Sequence, residues 1–319
     1  MLTRRSTGLG LGLAVVSAAT FATSGAFARS LLDAGWSATA AVAARIGIAA
    51  LVLVPPTIIA LRGRWHVLRR SAGPVVLYGL LAVGGAQVGF FNAVRYLPVG
   101  VALLLEYLGI ILVVFWMWAA HGQRPGRLTL AGAVAAVVGL VLVLDLTGGE
   151  FELVGVAWGL FAAIGLAAYF VLSARVDSEL PSTAMASGGM AAGAVLLVAL
   201  GATGLLPMHA VFGDVDFAGH RVSWLVPLLG LALVAAVVSY LCGIGAARIL
   251  GARMSSFVGL TEVLFAVLVA WLLLDELPTW LQLLGGVLIL AGVVLVRLDE
   301  APAVPEPAPV AEPELVGRA

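Results

Sequence analysis

The amino-acid sequence predicts an all-α polytopic membrane protein with ten transmembrane helices, arranged as two inverted five-helix repeats. Composition supports the membrane assignment, since 62% of the 319 residues are hydrophobic and 11% are charged, whereas soluble domains average about 45–50% apolar and about 25% charged residues. An internal repeat supports the two-fold architecture. The composition also excludes a disordered chain, a coiled coil and a nucleic-acid binder, and the single Cys242 excludes an intramolecular disulfide or a cysteine-based metal site.

Ten apolar runs are long enough to cross a bilayer, because a helix needs about 20 apolar residues to span about 30 Å of hydrocarbon. They lie at about 8–27, 36–61, 73–94, 98–119, 128–146, 153–174, 183–206, 223–246, 254–274 and 278–297. The runs lack the strict alternation of a membrane β-barrel, so we expect helices. Pro55 and Pro56 predict a kink or an end in the second helix.

The distribution of arginine predicts the orientation of the chain, which contains no lysine. With the amino terminus in the cytoplasm, thirteen arginines lie in inner segments and three lie in outer loops, at Arg29, Arg95 and Arg221. Positive charges are enriched on the cytoplasmic side of membrane proteins. We therefore expect a multi-pass protein of the cell (inner, cytoplasmic) membrane with both termini cytoplasmic.

The two ends of the sequence have interpretations of their own. Arg4 and Arg5 before an apolar stretch also match a cleavable secretory signal. Nine further runs follow, however, and the first run has a partner later in the chain. Residues 301–319 contain five prolines and no aromatic residue, and this composition predicts a disordered cytoplasmic tail.

The sequence repeats itself at an offset of 153 residues without gaps. The matched pairs are Pro74/Pro227, Arg95/Arg248, Pro125/Pro278, Gly132/Gly285 and Gly139/Gly292. The first helix matches the sixth at an offset of 147. The predicted domains are a five-helix repeat at 8–146 and a second at 155–299, and because five is odd the second copy is expected upside down. Inverted repeats are typical of secondary transporters, whose substrate sites lie near the membrane midplane.

Motifs in the two halves resemble the EamA family of the drug/metabolite transporter superfamily. They are Arg95-Tyr96-Leu97-Pro98-Val99-Gly100-Val101-Ala102 with Leu105-Glu106-Tyr107-Leu108-Gly109, and Arg248-Ile249-Leu250-Gly251-Ala252-Arg253 with Leu260-Thr261-Glu262 and Asp275-Glu276-Leu277-Pro278-Thr279. The resemblance covers nearly the whole chain except the tail. Its first motif is most similar to amino-acid and homoserine exporters, which implies two EamA-like repeats and secondary active transport.

The sequence departs from the family pattern after the acidic motif of each half. The family usually has proline at this place, whereas this chain has Ile110 and Val263. Proline would weaken the helical hydrogen bonds near the midplane. We therefore expect straighter fourth and ninth helices.

Three ionisable residues lie well inside the predicted helices, at Arg45, Glu106 and Glu262. Such residues usually face the bundle interior or a water-filled cavity. Helical rise places Arg45 about 13 Å and Glu106 about 12 Å below the outer surface. The two are expected to pair, either within a substrate site or as a purely structural ion pair. In a site, Arg45 would bind an anionic group of the substrate or hold Glu106 ready for a cationic one.

The repeat also relates the two glutamates to each other. At the 153-residue offset Glu106 falls on Gly259 and Glu262 falls on Gly109, so each half carries one Glu and one Gly three residues apart. Positions i and i+3 share a helix face. Both carboxyls are therefore predicted to point into one central site, where at least one exchanges protons during transport. The alternative is that each Glu satisfies a neighbouring polar group.

Five further residues within the spans complete the candidate substrate site: Gln87, Asn92, Tyr107, Tyr169 and Tyr240. Interhelical hydrogen bonding is the alternative for the two amides, and packing against the core or lipid is the alternative for the tyrosines. No enzyme activity, cofactor or metal site is expected, because the chain has no nucleotide-binding loop with Lys and no His-Glu-x-x-His pair.

The sequence favours a secondary active transporter that exports a small polar metabolite, such as an amino acid or a relative, by proton antiport. Two alternatives stay open. The first is an exporter of amphipathic drugs, and the second is a membrane receptor or interaction protein that binds a solute without moving it. The expected partners are a small-molecule solute, the lipid bilayer, protons as the coupling ion and, in a homodimer, a second copy of the chain; no nucleic acid is expected.

Overall fold

The computed structural model describes residues 4–122, 126–143, 152–175, 179–250 and 258–299. The helices are α1 Arg4–Ala22, α2 Ser24–Asp33, α3 Ala38–Ala60, α4 Trp65–Arg70, α5 Ala72–Tyr78, α6 Ala86–Val94, α7 Val99–Tyr107, α8 Gly109–His121, α9 Arg127–Val143, α10 Leu153–Arg175, α11 Ser182–Ala202, α12 Leu225–Leu229, α13 Ser239–Leu250, α14 Thr261–Leu274 and α15 Trp280–Asp299. Two π-helical stretches, the first π segment (Gly79–Gly85) and the second π segment (Gly230–Val238), join α5 to α6 and α12 to α13. The predicted tail (301–319) and the predicted end of the first repeat (146) lie outside the described residues.

Helices of this structure are apolar enough to lie in a membrane. Within the described ranges, five helical runs are long and apolar enough to cross a bilayer by length and composition: Thr7–Asp33, Ala38–Ala60, Ala72–Val94, Ser182–Ala202 and Leu225–Gly243. Five further apolar runs are shorter: Val99–Leu112, Arg127–Val143, Leu153–Tyr169, Thr261–Leu274 and Trp280–Val296. Leu51, Val195 and Leu264 are among the large aliphatic side chains on the exterior. The chain is a multi-pass membrane protein, and ten crossings stay a prediction.

The second predicted helix contains the two adjacent prolines. Pro55 and Pro56 both lie inside α3, which runs on to Ala60. A proline removes one backbone donor and crowds the preceding turn, yet the helical geometry persists for one further turn. The predicted end of this helix therefore comes just after the prolines.

The fourth predicted helix is interrupted at Leu108, between the end of α7 and the start of α8. The backbone N–H of Leu108 donates to the carbonyl oxygen of Leu105 at 3.2 Å, and that of Ile111 donates to Leu108 at 2.9 Å. This three-residue spacing tightens the turn relative to an α-helix. The backbone N–H of Ile110 therefore does not keep the turn before it regular, and the straighter fourth helix expected from the sequence stays a prediction. The corresponding part of the ninth helix lies partly outside the described residues.

Element boundaries recur 153 residues apart in the two halves. The starts of α6 and α13 differ by this offset, as do the starts of α9 and α15. The first π segment, moved by the same offset, covers 232–238 and so falls inside the second π segment. Gly122 and Asp275, also 153 residues apart, end α8 and α14 with φ of +67° and +58°. The recurrence extends from residue types to backbone conformation.

The helices α9 and α15 cross at glycines. A Cβ at Gly132 would collide with the carbonyl oxygen of Gly292, and the reverse also holds; Gly139 and Gly285 form the second such pair. Residue numbers rise along α9 as they fall along α15, so the helices are antiparallel. The 153-residue offset converts one glycine pair into the other. This crossing therefore has the two-fold antiparallel symmetry that an inverted repeat requires.

A β-hairpin covers one end of the bundle. Its strands, β1 Asp214–Phe217 and β2 His220–Ser223, pair antiparallel. The two turn residues, Ala218 and Gly219, have φ of +53° and +74°, as a two-residue hairpin turn requires. Phe217 stacks on Phe27 of α2, with ring centroids 5.2 Å apart. The hairpin thus ties the connection between α11 and α12 to the end of the first helical run.

Different contacts close the opposite end of the bundle. The Asp299 carboxylate accepts hydrogen bonds from Thr129 through the backbone N–H at 3.1 Å and the hydroxyl at 2.6 Å. Val67 of α4 packs in a small apolar cluster with Leu180 and Ala184 near the start of α11. These contacts join the ends of helices from both halves. The candidate site lies between the two ends.

Candidate functional site

Arg45 lies in the middle of α3 and is buried, with 1% of its surface exposed. Its Nη1 donates hydrogen bonds to Ser24 Oγ at 2.9 Å and to Gln87 Oε1. Its Nη2 donates to the carbonyl oxygen of Ala235, in the second π segment, at 3.0 Å. The side chain therefore joins four elements, which are α2, α3, α6 and the second π segment.

Aromatic rings complete the surroundings of the guanidinium. Arg45 Cζ lies 5.4 Å from the ring centroid of Phe21 and 5.7 Å from that of Phe91, within the range of cation–π attraction. Its Nε is sealed from solvent and has no acceptor among the described residues. A buried cation is therefore held by neutral groups, namely a hydroxyl, an amide, a backbone carbonyl and two rings.

The predicted ion pair between Arg45 and Glu106 is not formed. Among the described residues, no carboxylate oxygen lies within 4.0 Å of the Arg45 nitrogens, although Glu106 and Glu262 lie within electrostatic range. The prediction rested on similar depth in the membrane. Depth along a helix axis does not fix the direction in which a side chain leaves the helix, and Arg45 points to α6 and the second π segment.

The two glutamates are both linked to Tyr107, Glu262 by a hydrogen bond and Glu106 as its neighbour in the chain. The Tyr107 hydroxyl is 3.2 Å from Glu262 Oε2 and 3.3 Å from the carbonyl oxygen of Gly259. A phenol has one proton to donate, so these two acceptors compete for it. Glu106 directly precedes Tyr107 in α7 and lies within electrostatic range of Glu262. The structure thus brings the carboxyls of the two halves into one region.

The Glu106 carboxyl differs from that of Glu262 in its contacts with the described residues. The residue is 6% exposed, and its carboxyl accepts no hydrogen bond from the described part of the chain. It is nevertheless absent from the polar atoms that are both sealed from solvent and unpaired. The described residues therefore do not seal its oxygens completely.

The two candidate amides differ in their contacts. Gln87 binds Arg45, whereas Asn92 Nδ2 donates to the carbonyl oxygen of Val88 in its own helix at 2.8 Å. At the 153-residue offset Gln87 falls on Tyr240, which lies within electrostatic range of Arg45. Equivalent positions of α6 and α13 therefore converge on Arg45, and Asn92 makes its described contact elsewhere.

Tyr169 and Tyr240 meet at Tyr78, a residue that the sequence analysis did not single out. Tyr78 is 3% exposed, its ring centroid lies 5.7 Å from that of Tyr169, and its hydroxyl interacts with that of Tyr240. Tyr240 also lies within electrostatic range of Glu106. The rarity of tyrosine in the sequence could have pointed to Tyr78. The chain has five tyrosines, and four of them, including Tyr107, lie in this region.

The site contains chemistry for a polar solute. Two carboxyls can bind an amine or a proton, tyrosine hydroxyls can donate and accept hydrogen bonds, and ring faces can contact apolar or cationic groups. Within the described ranges, no group of three or more His, Cys, Asp or Glu side chains is placed to hold a metal ion.

Residues 8–145 and 153–298 each match the EamA-like transporter family. An uncharacterized transporter of Clostridium kluyveri is 23% identical over 256 residues, which cover 78% of this chain and 79% of that protein. An uncharacterized transporter of Archaeoglobus fulgidus is 27% identical over 210 residues, covering 65% and 70% of the two chains. The threonine/homoserine exporter RhtA of Salmonella typhimurium is 30% identical over 131 residues, covering 40% of this chain and 42% of the exporter.

A solved structure, described as the crystal structure of a protein, has a similar fold. It superposes with a TM-score of 0.58 and 19% sequence identity, over 93% of this chain and 98% of the other. At this identity the likeness concerns the fold alone.

Proposed function

Because the chain belongs to the EamA-like transporter family, we propose that it exports a small polar metabolite, such as an amino acid, in exchange for protons. One observation carries the proposal, which is the meeting of Glu106 from the first half and Glu262 from the second around Tyr107. The partial similarity to a protein named as a threonine/homoserine exporter supports the amino-acid class of substrate.

Two carboxyls inside a membrane protein suit this exchange. Each is neutral when it carries a proton and can bind a cationic amine when it does not, so proton and solute compete for the same groups. Glu106 accepts no hydrogen bond from the part of the chain that the structure describes, so binding a proton or an amine breaks no described contact. Arg45 is already bonded to three neutral acceptors, so an anionic end of the solute reaches it only by displacing one of them.

The experiment measures solute efflux from proteoliposomes across an imposed pH gradient. Glu106→Gln and Glu262→Gln keep the size and hydrogen-bonding capacity of the side chains but cannot ionise. We expect both variants to lose flux driven by the gradient. Glu152→Gln serves as the matched control, because Glu152 is exposed at the start of α10, and it should transport as the parent protein does.

Full gradient-driven flux in both glutamine variants would refute proton coupling through these carboxyls. Binding of amino acids without counterflow in the parent protein would instead support the receptor alternative. A receptor would show no counterflow in the parent protein, whereas a transporter without proton coupling through these carboxyls would still show flux. The experiment therefore distinguishes the two cases.

We further propose that the chain crosses the cell membrane ten times with both termini in the cytoplasm. The arginine distribution supports this orientation, and the hairpin end of the bundle is then extracytoplasmic. Reporter fusions at Gly219 in the hairpin and at Gly63 beside α4 should be read as outside and inside, respectively. The opposite pattern would reverse the orientation.

Export of amphipathic compounds is the second candidate function. The cluster of Tyr78, Tyr169 and Tyr240 favours it, because ring faces bind apolar and cationic groups without a matching carboxylate. Tyr169→Ala should then reduce transport of aromatic cations more than transport of threonine. Equal loss for both solutes would favour the polar-metabolite proposal.

A further inference from the structure

The hydrogen bonds of Arg45 join the two halves of the chain at one point. Ser24 and Gln87 belong to the first half and Ala235 to the second. The acceptor in the second half is a backbone carbonyl of the second π segment. A carbonyl oxygen has two lone pairs, so it can accept from Arg45 while it stays within the helix.

The second π segment is a place where the backbone can change its hydrogen bonds. A π-helical stretch uses five-residue spacing and often marks functional sites. Tyr240 follows the segment by two residues and lies within electrostatic range of Arg45 and Glu106. A shift of the segment therefore moves a tyrosine of the candidate site.

One N–H donor of Arg45 is unpaired among the described residues. Its Nε has no acceptor among the described residues and is sealed from solvent, although buried cations are normally fully hydrogen-bonded. Glu106 has the complementary property, since its carboxyl accepts no hydrogen bond from the described residues and lies within electrostatic range of the guanidinium. Among the described residues, Arg45 Nε lacks an acceptor and the Glu106 carboxyl lacks a donor, so the two groups are complementary.

We propose that Arg45 is a positioning residue, a clamp that fixes the second π segment against α6 and passes from the Ala235 carbonyl to the Glu106 carboxylate when the site changes state. The proposal rests on the proposed function, because the exchange matters only in a protein that alternates between states. In the state described, the clamp is closed on Ala235. Releasing it frees the second π segment and the start of α13.

Cys242 reports on this motion in the parent protein. It is the single cysteine of the chain and lies in α13, four residues beyond the second π segment, with its side chain partly buried. The start of α13 is held to α1 by hydrogen bonds between Ser17 and Ser239. Loosening of the segment should therefore raise the rate at which N-ethylmaleimide labels Cys242.

The experiment measures this labelling rate for the full chain in phosphatidylethanolamine and phosphatidylglycerol vesicles, at fixed pH and without solute. Arg45→Lys keeps the charge but loses the planar fork, so labelling should rise roughly fivefold, as the loss of one buried hydrogen bond implies. Gln87→Glu gives Arg45 a carboxylate on the first-half side and should slow labelling. Arg64→Lys is the control, because Arg64 is exposed and its side chain donates to the nearby carbonyl oxygen of Ala60.

Opposite shifts in Arg45→Lys and Gln87→Glu support the clamp, since general loosening would accelerate labelling in both. Unchanged rates, or shifts in the same direction, overturn it. Glu106→Gln provides a further test that leaves Arg45 in place, and it should slow labelling because the receiving carboxylate is lost. The labelling rate is read without any solute, so failure to find a transported substrate would challenge the proposed function and leave this result standing.

Discussion

The two π segments have the same place in their halves but different supports. Aligning α3 with α11 by their first residues puts Arg45 at Gly189. In the first half, Gly79 packs directly on the backbone of Gly189, so close that a Cβ would collide with its carbonyl oxygen. In the second half, Ala235 is held by the Arg45 side chain. Steric fit holds one segment and polar contacts hold the other, so the second is the one that can exchange partners.

The largest expected effect comes from breaking the steric support. Gly79→Ala introduces a Cβ against the Gly189 carbonyl, and backbone cannot move aside as a flexible side chain can. We expect a loss of about 3 kcal/mol in the free energy of unfolding, the upper range for overpacking. The measurement is thermal unfolding in detergent. Gly73→Ala is the control, because a Cβ at Gly73 meets nothing within 4 Å, and equal stability of the two variants would contradict the assignment.

Removing the polar support should cost less. Arg45→Met keeps the length of the side chain but leaves the acceptors Gln87 and Ala235 without their donor, while it also removes a buried charge. The two effects oppose each other, so we expect a loss of about 2 kcal/mol or less. The same unfolding measurement decides it, with Arg64→Met as control. A loss greater than that of Gly79→Ala would reverse the comparison.

A substitution at Ser24 tests whether the positive charge of Arg45 strengthens its hydrogen bonds. Ser24→Ala removes one of the three acceptors of Arg45, and we expect a loss of about 1.5 kcal/mol, the lower end for hydrogen bonds to charged groups, against about 1 kcal/mol for neutral ones. Ser187→Ala is the matched control, because Ser187 is also buried but donates to the neutral carbonyl of Ala50 at 3.2 Å. Ser24→Ala should lower the unfolding temperature more. A larger decrease in unfolding temperature for Ser187→Ala would show that the hydrogen bond between Arg45 and Ser24 contributes little to stability.

The smallest effect concerns the equivalent helix ends. Gly122 and Asp275 both adopt positive φ, which costs a non-glycine residue more than glycine. Asp275→Gly should therefore stabilise the protein by about 0.5 kcal/mol, and Gly122→Ala should destabilise it by about 1 kcal/mol. Differential scanning fluorimetry of both variants is sufficient. Destabilisation by Asp275→Gly would mean that the aspartate side chain makes a contribution of its own.

Sequence reasoning located apolar helices and the ionisable residues inside them because these depend on composition and spacing. Apolar runs marked the helices, and the rarity of ionisable residues in such runs marked Arg45, Glu106 and Glu262. The partners of Arg45 were not predictable in the same way. A backbone carbonyl such as that of Ala235 has no sequence signature, and π-helical geometry arises from packing between elements that are distant in the chain.

The contacts within the tyrosine cluster could not be predicted from the sequence either. Tyr78 and Tyr169 come from different halves, and their contact depends on the rotation of each helix about its own axis, which depth alone does not give. The offset that relates Gln87 to Tyr240 was present in the sequence. This relation points to a shared site only once the structure shows that both residues lie near Arg45.

The glycine crossing of α9 and α15 has a consequence for how the protein is made. Gly132 leaves the ribosome long before Gly292, and at 5–20 residues per second the interval is about 10–30 s. During that time the glycine face of α9 lies in the membrane without the helix that covers it. Completion of the first half therefore waits for the last helix to be inserted, so a nascent chain that ends before α15 should be an early substrate for membrane quality control.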